Sequence, residues 1–191
     1  MVEEKQPGLK PSYLHRFTVD DYHHMAASGL LAEDQPVELI YGQIIDMSPI
    51  NSRHAGTVNL LNRLLSARLD KQYILGVQNP IHLDEFNEPE PDLAIMKFRE
   101  DFYVHDHPLP SDVLLLIEVA DTSLNKDREL KLPLYATAGI PEVWILNLQD
   151  GQLECYTEPK EGSYQSTTIK KTGTTLQHTQ WGEFVVERLV L

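Results

Sequence analysis

The sequence predicts a mixed α/β (α+β) domain. Three observations carry this reading. Apolar runs of strand length recur, and "PDLAIMKF" and "VLLLIEVA" have the continuous apolar character of central strands. Other segments carry apolar residues at helical spacing, the longest being "NSRHAGTVNLLNRLLSARLDKQ". The end of the chain, "YQSTTIKK", "TTLQHTQW" and "EFVVERLV", reads as extra short strands or extended edges.

Residues 1–16 read as an N-terminal arm with two prolines and no clear period, followed by one domain over 17–191. "TVDDYHHMAASG" predicts a helix, with Thr18 as N-cap, Asp20 and Asp21 in the first turn and Gly29 after the end. "PVELIYGQIIDMSP" predicts two short strands around Tyr41-Gly42, closed by Pro49. The long helical segment places Val58, Leu61, Leu64, Leu65 and Leu69 on one face, with Asn51 or Ser52 as its cap. "YILGVQNPIHLD" is a strand interrupted at Asn79-Pro80. "NKDRELKLPLYATAGIPE" is helical and ends at Gly139 with Pro141 beyond. Pro133 lies inside it, so the helix either starts near Lys131 or kinks there, because proline removes one helical hydrogen bond and clashes with the preceding turn. "VWILNLQDGQLECYT" predicts a hairpin turning at Asp150-Gly151.

The 191 residues suffice for a core. No apolar run approaches a bilayer span, and "MVEEKQPGLK" lacks the apolar stretch of a signal peptide. Cys155 is the one cysteine, which excludes an internal disulfide and a cysteine-rich zinc site. It sits in a hairpin strand and is expected to be packed rather than nucleophilic. These features point to a cytoplasmic protein without membrane contact. The formal net charge of −13 counts against nucleic-acid binding at long range. A local basic groove can offset it, and carboxylates that bind Mg²⁺ themselves add to it.

Asp92 opens one central strand and Glu118 nearly closes the next. The segment between them carries Pro108 and Pro110 and no helical period, so it supplies no crossover helix. The two strands are therefore expected to be antiparallel neighbours, which brings Asp92 and Glu118 to one end of the sheet. Two carboxylates there repel each other and are costly to desolvate, and a divalent cation relieves both problems. From spacing alone, strand-end acids reaching solvent fit equally well.

Lys131 lies thirteen positions after Glu118, on one helical face with Asp127 and Tyr135. It could reach back to the strand end, although a solvated surface lysine is the more ordinary reading. Glu38, in "VELIYGQII", is likewise an acid among apolar residues, and alone it reads as an edge-strand position. His54 begins the long helix and reads as a first-turn histidine that a fold could bring near the acids. His23-His24 and His105/His107 read as surface residues, since no acid or cysteine is spaced to complete a metal site. There is no G-x-S-x-G, P-loop, G-x-G-x-x-G or H-E-x-x-H.

The ordered set "VELIYGQIIDMSP", His54, "PDLAIM", "LLLIEVADTS" and "KDRELKLPLYATAGIPEVWIL" resembles the Uma-two family of endonucleases, in the restriction-endonuclease-like PD-(D/E)XK superfamily. The resemblance covers roughly residues 17–158, and the run from Glu118 through Trp144 is its most specific part. It implies a restriction-endonuclease-like core, a central mixed sheet flanked by helices, and Mg²⁺-dependent hydrolysis of DNA phosphodiester bonds, with Mn²⁺ as a substitute ion. It implies that Pro91-Asp92 form the PD motif, with Asp92 the principal metal ligand. Glu118 would be the second acidic ligand. Glu38 would be the acid of the N-terminal motif, binding metal directly or through water. The superfamily pattern wants a lysine two residues after the second acid, where this chain has Ala120. The resemblance implies that the lysine has moved to the next helix, at Lys131.

Three readings follow. The first is a metal-dependent endonuclease acting on DNA through Asp92, Glu118, Lys131 and Glu38; a homodimer would suit two cuts in a duplex. The second is a catalytically inactive nuclease-fold protein that serves as a binding or assembly module, favoured by the acidic charge and by Ala120. The third, a hydrolase of a small phosphorylated molecule, fits the charge and has no motif of its own.

Overall fold

The computed structural model describes residues 13–32, 34–186 and 189; residues 1–12 of the expected arm lie outside the described residues. Helix α1 (Val19–Ala27) starts at Thr18, whose hydroxyl accepts from the Asp21 N–H while the Asp21 carboxylate accepts from the Thr18 N–H. This reciprocal box satisfies two of the donors that a helix start leaves unpaired. Strands β1 (Val37–Ile40) and β2 (Gln43–Asp46) pair antiparallel around Tyr41-Gly42. Both turn residues have positive φ, 54° and 72°, which matches the twist of a two-residue hairpin. A side chain at residue 42 would be strained and would meet Arg16 Cβ at 2.8 Å, so glycine is required there.

Helix α2 (Ser52–Ser66) is capped by Asn51, whose Oδ1 accepts from the His54 N–H. It is followed by β3 (Tyr73–Val77), β4 (Leu93–Lys97) and β5 (Val113–Ala120). β5 leads into a short α3 (Leu124–Lys126), a wide π turn over Asp127–Lys131 and α4 (Leu132–Thr137). β6 (Glu142–Asn147), β7 (Gln152–Lys160), β8 (Ser163–Lys171), β9 (Thr175–His178) and β10 (Gly182–Val185) complete the chain.

The strands β3-β4-β5-β6-β7-β8 form one mixed sheet in that order. Only β5 and β6 run parallel, and the helical segment 124–137 is their crossover. β4 and β5 are antiparallel, as expected from their proline-rich connection. Alternation along β5 sends Leu115, Ile117 and Val119 to one face and Leu116 and Ala120 to the other. The first face is covered by Val58, Leu61 and Leu65 of α2 and by Trp181 and Phe184 around the β9–β10 hairpin. The second is covered by Leu134 and Tyr135 of α4 and by Ile40 of β1. Glu118 has the parity of the second face.

Pro133 explains the shape of the crossover. It has no N–H to continue an α ladder. The chain widens just before it, and the Leu132 N–H reaches back five residues to the Asp127 carbonyl. Such a bulge re-aims side chains and recurs at functional sites. Here it buries both Asp127 and Lys131 against the sheet. Among the described residues, no helix is long and apolar enough to cross a membrane.

Candidate active site

The register Leu93↔Ile117 brings Asp92 opposite Glu118, one step beyond the last pair of the β4–β5 ladder. Asp92 is fixed there by its Oδ2, which accepts from the Val119 N–H at 2.8 Å. Its own carbonyl accepts from the Gln78 N–H of the neighbouring strand end. The two acids therefore share the end of the sheet that faces the crossover helix.

Lys131 projects into this cluster. Its Nζ lies 3.2 Å from Glu118 Oε1, 3.4 Å from Glu118 Oε2, 3.2 Å from Glu38 Oε2 and 3.1 Å from the Glu90 carbonyl. One helical step further on, the Tyr135 hydroxyl donates to Glu118 Oε1 at 2.6 Å. Glu38 comes from β1 and also receives Lys126 Nζ at 2.7 Å and the Glu90 N–H at 3.1 Å. Ala120 carries no lysine, and the helical segment packed on the same face places the Lys131 ammonium beside Glu118. Ala120 itself is fully buried in that apolar layer, with no room for a charged stem.

Burial dominates the electrostatics. It pushes the Glu118 carboxyl up to about 8, against the pull of Lys131 and with help from Asp127 and Asp92. Burial also raises Asp127, whose Oδ2 accepts from the Ser123 hydroxyl at 2.7 Å. For Glu38, burial raises the carboxyl but the two lysines and the Glu90 N–H outweigh it, so the net direction is downward. Burial likewise opposes the charge on Lys131, yet the surrounding carboxylates, Glu118 first, hold its ammonium above the ordinary range. His54 is raised mainly by its hydrogen bond to Asp92, with Nε2 3.1 Å from Oδ2. The same pocket is lined by Ser48, Asn51, Gln78, Glu90, Thr122 and Lys126.

All four residues singled out from the sequence, Asp92, Glu118, Lys131 and Glu38, line this one pocket. Sequence reasoning missed four others: Asp127, Tyr135, Glu90 and Lys126. Asp127 and Tyr135 carried a signal, since they share the helical face of Lys131. Glu90 and Lys126 carried none. His23 is exposed, as a surface residue should be, but the expectation that no acid completes a metal group with His23 and His107 needs correction. Glu88, distant in sequence, stands with its Oε1 2.7 Å from His23 Nε2, and His107 lies in the same group. Cys155 is buried, and burial pushes its thiol up to about 12, which is a packed cysteine and not a nucleophile.

A family model described as "Uma2: Putative restriction endonuclease" matches residues 19–184. No curated protein matches the chain. Among solved structures, a putative nuclease belonging to DUF820 from Anabaena variabilis superposes with a TM-score of 0.65 at 14% identity, covering 91% of this chain and 97% of that one. At that identity the likeness shows a shared fold. Since the family match spans most of the chain and includes every residue of the pocket, the chain belongs to the Uma2 family, with a restriction-endonuclease-like fold.

Proposed function

We propose that this protein is a metal-dependent endonuclease that hydrolyses DNA phosphodiester bonds. The observation that carries the reading is Lys131, an ammonium buried among the carboxylates of Glu118 and Glu38 at the sheet end that holds Asp92. A lysine so held is costly unless its charge is used or compensated.

The donor set fits a hard cation. Asp92, Glu118 and Asp127 offer only oxygens, which suits Mg²⁺ or Mn²⁺. Six acids (Glu38, Glu90, Asp92, Glu118, Asp121 and Asp127) and two lysines (Lys126 and Lys131) line the pocket, and the upward shifts of Glu118 and Asp127, set first by burial, are increased by the neighbouring carboxylates. Asp92 and Glu118 would hold the ion, with Asp127 beside them. Glu38 is better suited to holding Lys131 and Lys126 than to direct ligation. When bound, such an ion supplies Lewis acidity at a phosphoryl oxygen and lowers the pKa of a water.

The remaining work falls to the chain itself. Glu38 and the Glu90 carbonyl hold Lys131 Nζ so that its protons face the acids and the developing charge of the phosphate. Tyr135 fixes the Glu118 carboxylate by its O–H, and His54 fixes Asp92. Lys126 and the hydroxyls of Ser48 and Thr122 line the pocket, as donors for phosphate oxygens.

A second reading, a nuclease-fold binding or assembly module that does not cleave, draws support from Glu118. Both its oxygens already accept from Lys131, and one accepts from Tyr135 as well. Supercoiled plasmid and single-stranded DNA incubated with Mg²⁺, Mn²⁺ or EDTA separate the two. The nuclease reading requires metal-dependent cleavage that disappears in Asp92→Asn. Cleavage that survives this substitution, or none from the wild type with either ion, rules it out.

A further inference from the structure

The segment entering β4 carries another buried acid, Glu88, that does not line the carboxylate pocket. Glu88 is 3% exposed. Its backbone is fixed, with its N–H donating to the Leu39 carbonyl at 2.8 Å. Its Oε1 sits 2.7 Å from His23 Nε2, while its Oε2 is buried without a hydrogen-bond partner. His82 Nδ1 lies 3.8 Å from that orphaned oxygen. His107 completes the group: His23, Glu88 and His107 each offer a ligand atom, all within 4.8 Å of one another. The three side chains come from α1, the approach to β4 and the loop before β5. A buried carboxylate oxygen left unpaired is expensive, and a cation is the partner this arrangement accommodates.

We propose that His23, Glu88 and His107 form a second metal site, for Zn²⁺ or a similar transition-metal ion, separate from the carboxylate pocket. Two imidazoles and one carboxylate are a transition-metal donor set, whereas Mg²⁺ prefers oxygen alone. Zinc–ligand bonds of about 2.0–2.2 Å put tetrahedral ligand atoms roughly 3.3–3.6 Å apart. Glu88 is the fixed point. The His23 side chain is 49% exposed and free to swing by the ångström required. His82 stands beside the orphaned oxygen as a candidate for a further coordination position.

The site has a structural consequence. Glu88 and Asp92 flank Glu90, whose N–H holds Glu38 and whose carbonyl holds Lys131. An ion at Glu88 therefore ties α1 and the loop around His107 to the strand entry that carries Asp92, and it stabilises the folded chain by mass action.

The test uses the full chain without a purification tag, stripped of metal with EDTA, in the Asp92→Asn background so that the carboxylate pocket is disabled. Titration with Co²⁺ is expected to give one equivalent with visible ligand-field bands, displaced by Zn²⁺. Zn²⁺ is expected to raise the melting temperature. Adding His23→Gln and His107→Gln is expected to weaken Co²⁺ binding at least 100-fold and to abolish the Zn²⁺ shift, on top of a lower metal-free melting temperature, since His23 is the partner of Glu88 Oε1. No Co²⁺ binding in Asp92→Asn, or binding that survives both histidine substitutions, overturns the site.

Discussion

Replacing Lys131 with methionine keeps most of the packing of the stem and removes the ammonium. The structure sets the size of the effect. The side chain is 5% exposed and touches Glu118 and Glu38 at 3.2 Å each. Removing one partner of a buried ion pair costs about 3–5 kcal/mol. Lys126 still reaches Glu38 at 2.7 Å, so Glu118 bears most of the loss, in full only above about pH 8, where its carboxyl is ionised. For a chain of this size that is a fall of roughly 6–20 °C in melting temperature.

The sign with pH follows from Glu118. Burial raises its carboxyl from 4.5 to about 8 in the folded state. The folded protein thus binds that proton more tightly than the unfolded chain, and metal-free stability falls as pH rises through this window. Lys131 is shifted upward, so its contribution is fully present below its unfolded value of 10.5. Without Lys131 the Glu118 carboxyl rises further, and the variant goes on losing stability above about pH 8 where the wild type levels off. Urea unfolding in EDTA at about pH 6 and about pH 9 measures this. The deficit of Lys131→Met should be wider at the higher pH. Equal stability of variant and wild type at both values would refute the buried cluster.

Other outcomes follow from the same geometry. His54→Gln should weaken Mn²⁺ binding by about 10–100-fold, read by calorimetry, because Asp92 loses the group that orients it; unchanged affinity would deny His54 that role. Mn²⁺ affinity should rise by up to about tenfold per pH unit between roughly pH 6 and 8, since binding must displace the proton that Glu118 retains; a flat profile would place the ion elsewhere. Ala120→Lys should not repair the motif but destabilise the fold by at least about 3 kcal/mol in a urea melt, because it forces a second ammonium into a closed apolar layer; a stable variant would mean that the layer opens. On the opposite flank of the crossover, Arg128 pairs with the fully buried Glu154, which also accepts from Tyr156 and Asn147. Arg128→Met should cost about 3–5 kcal/mol with metal binding at Asp92 unaffected, and a change in that binding would couple the two networks.

The strands and their pairing were legible where local chemistry decides them. The Pro108–Pro110 connection, without a helical period, favoured antiparallel pairing of β4 and β5, and that pairing brings Asp92 to Glu118. Thr18 and Asn51 were readable as caps because a cap is a contact over three residues. Pro133 announced an irregularity; its form, a π turn that buries Asp127 with Lys131, depends on the sheet beneath and is not written in the periodicity. Tyr135 and Asp127 were visible as neighbours of Lys131 on a helix, but their roles needed Glu118 to be located first. Glu90 and Glu88 were invisible because each meets its partners across long sequence gaps, 52 residues to Glu38 and 65 to His23. Spacing rules for metal ligands find sites within one element, and the histidine group draws on three.

The central claim, that Lys131 takes over from the absent strand lysine, is tested most directly by single-turnover DNA cleavage and Mn²⁺ binding measured on the same Lys131→Gln preparation, with circular dichroism recording that it is folded. The account predicts at least a roughly 100-fold loss of cleavage, the scale of removing one charge-stabilising donor, with Mn²⁺ still bound. Cleavage at the wild-type rate would contradict it.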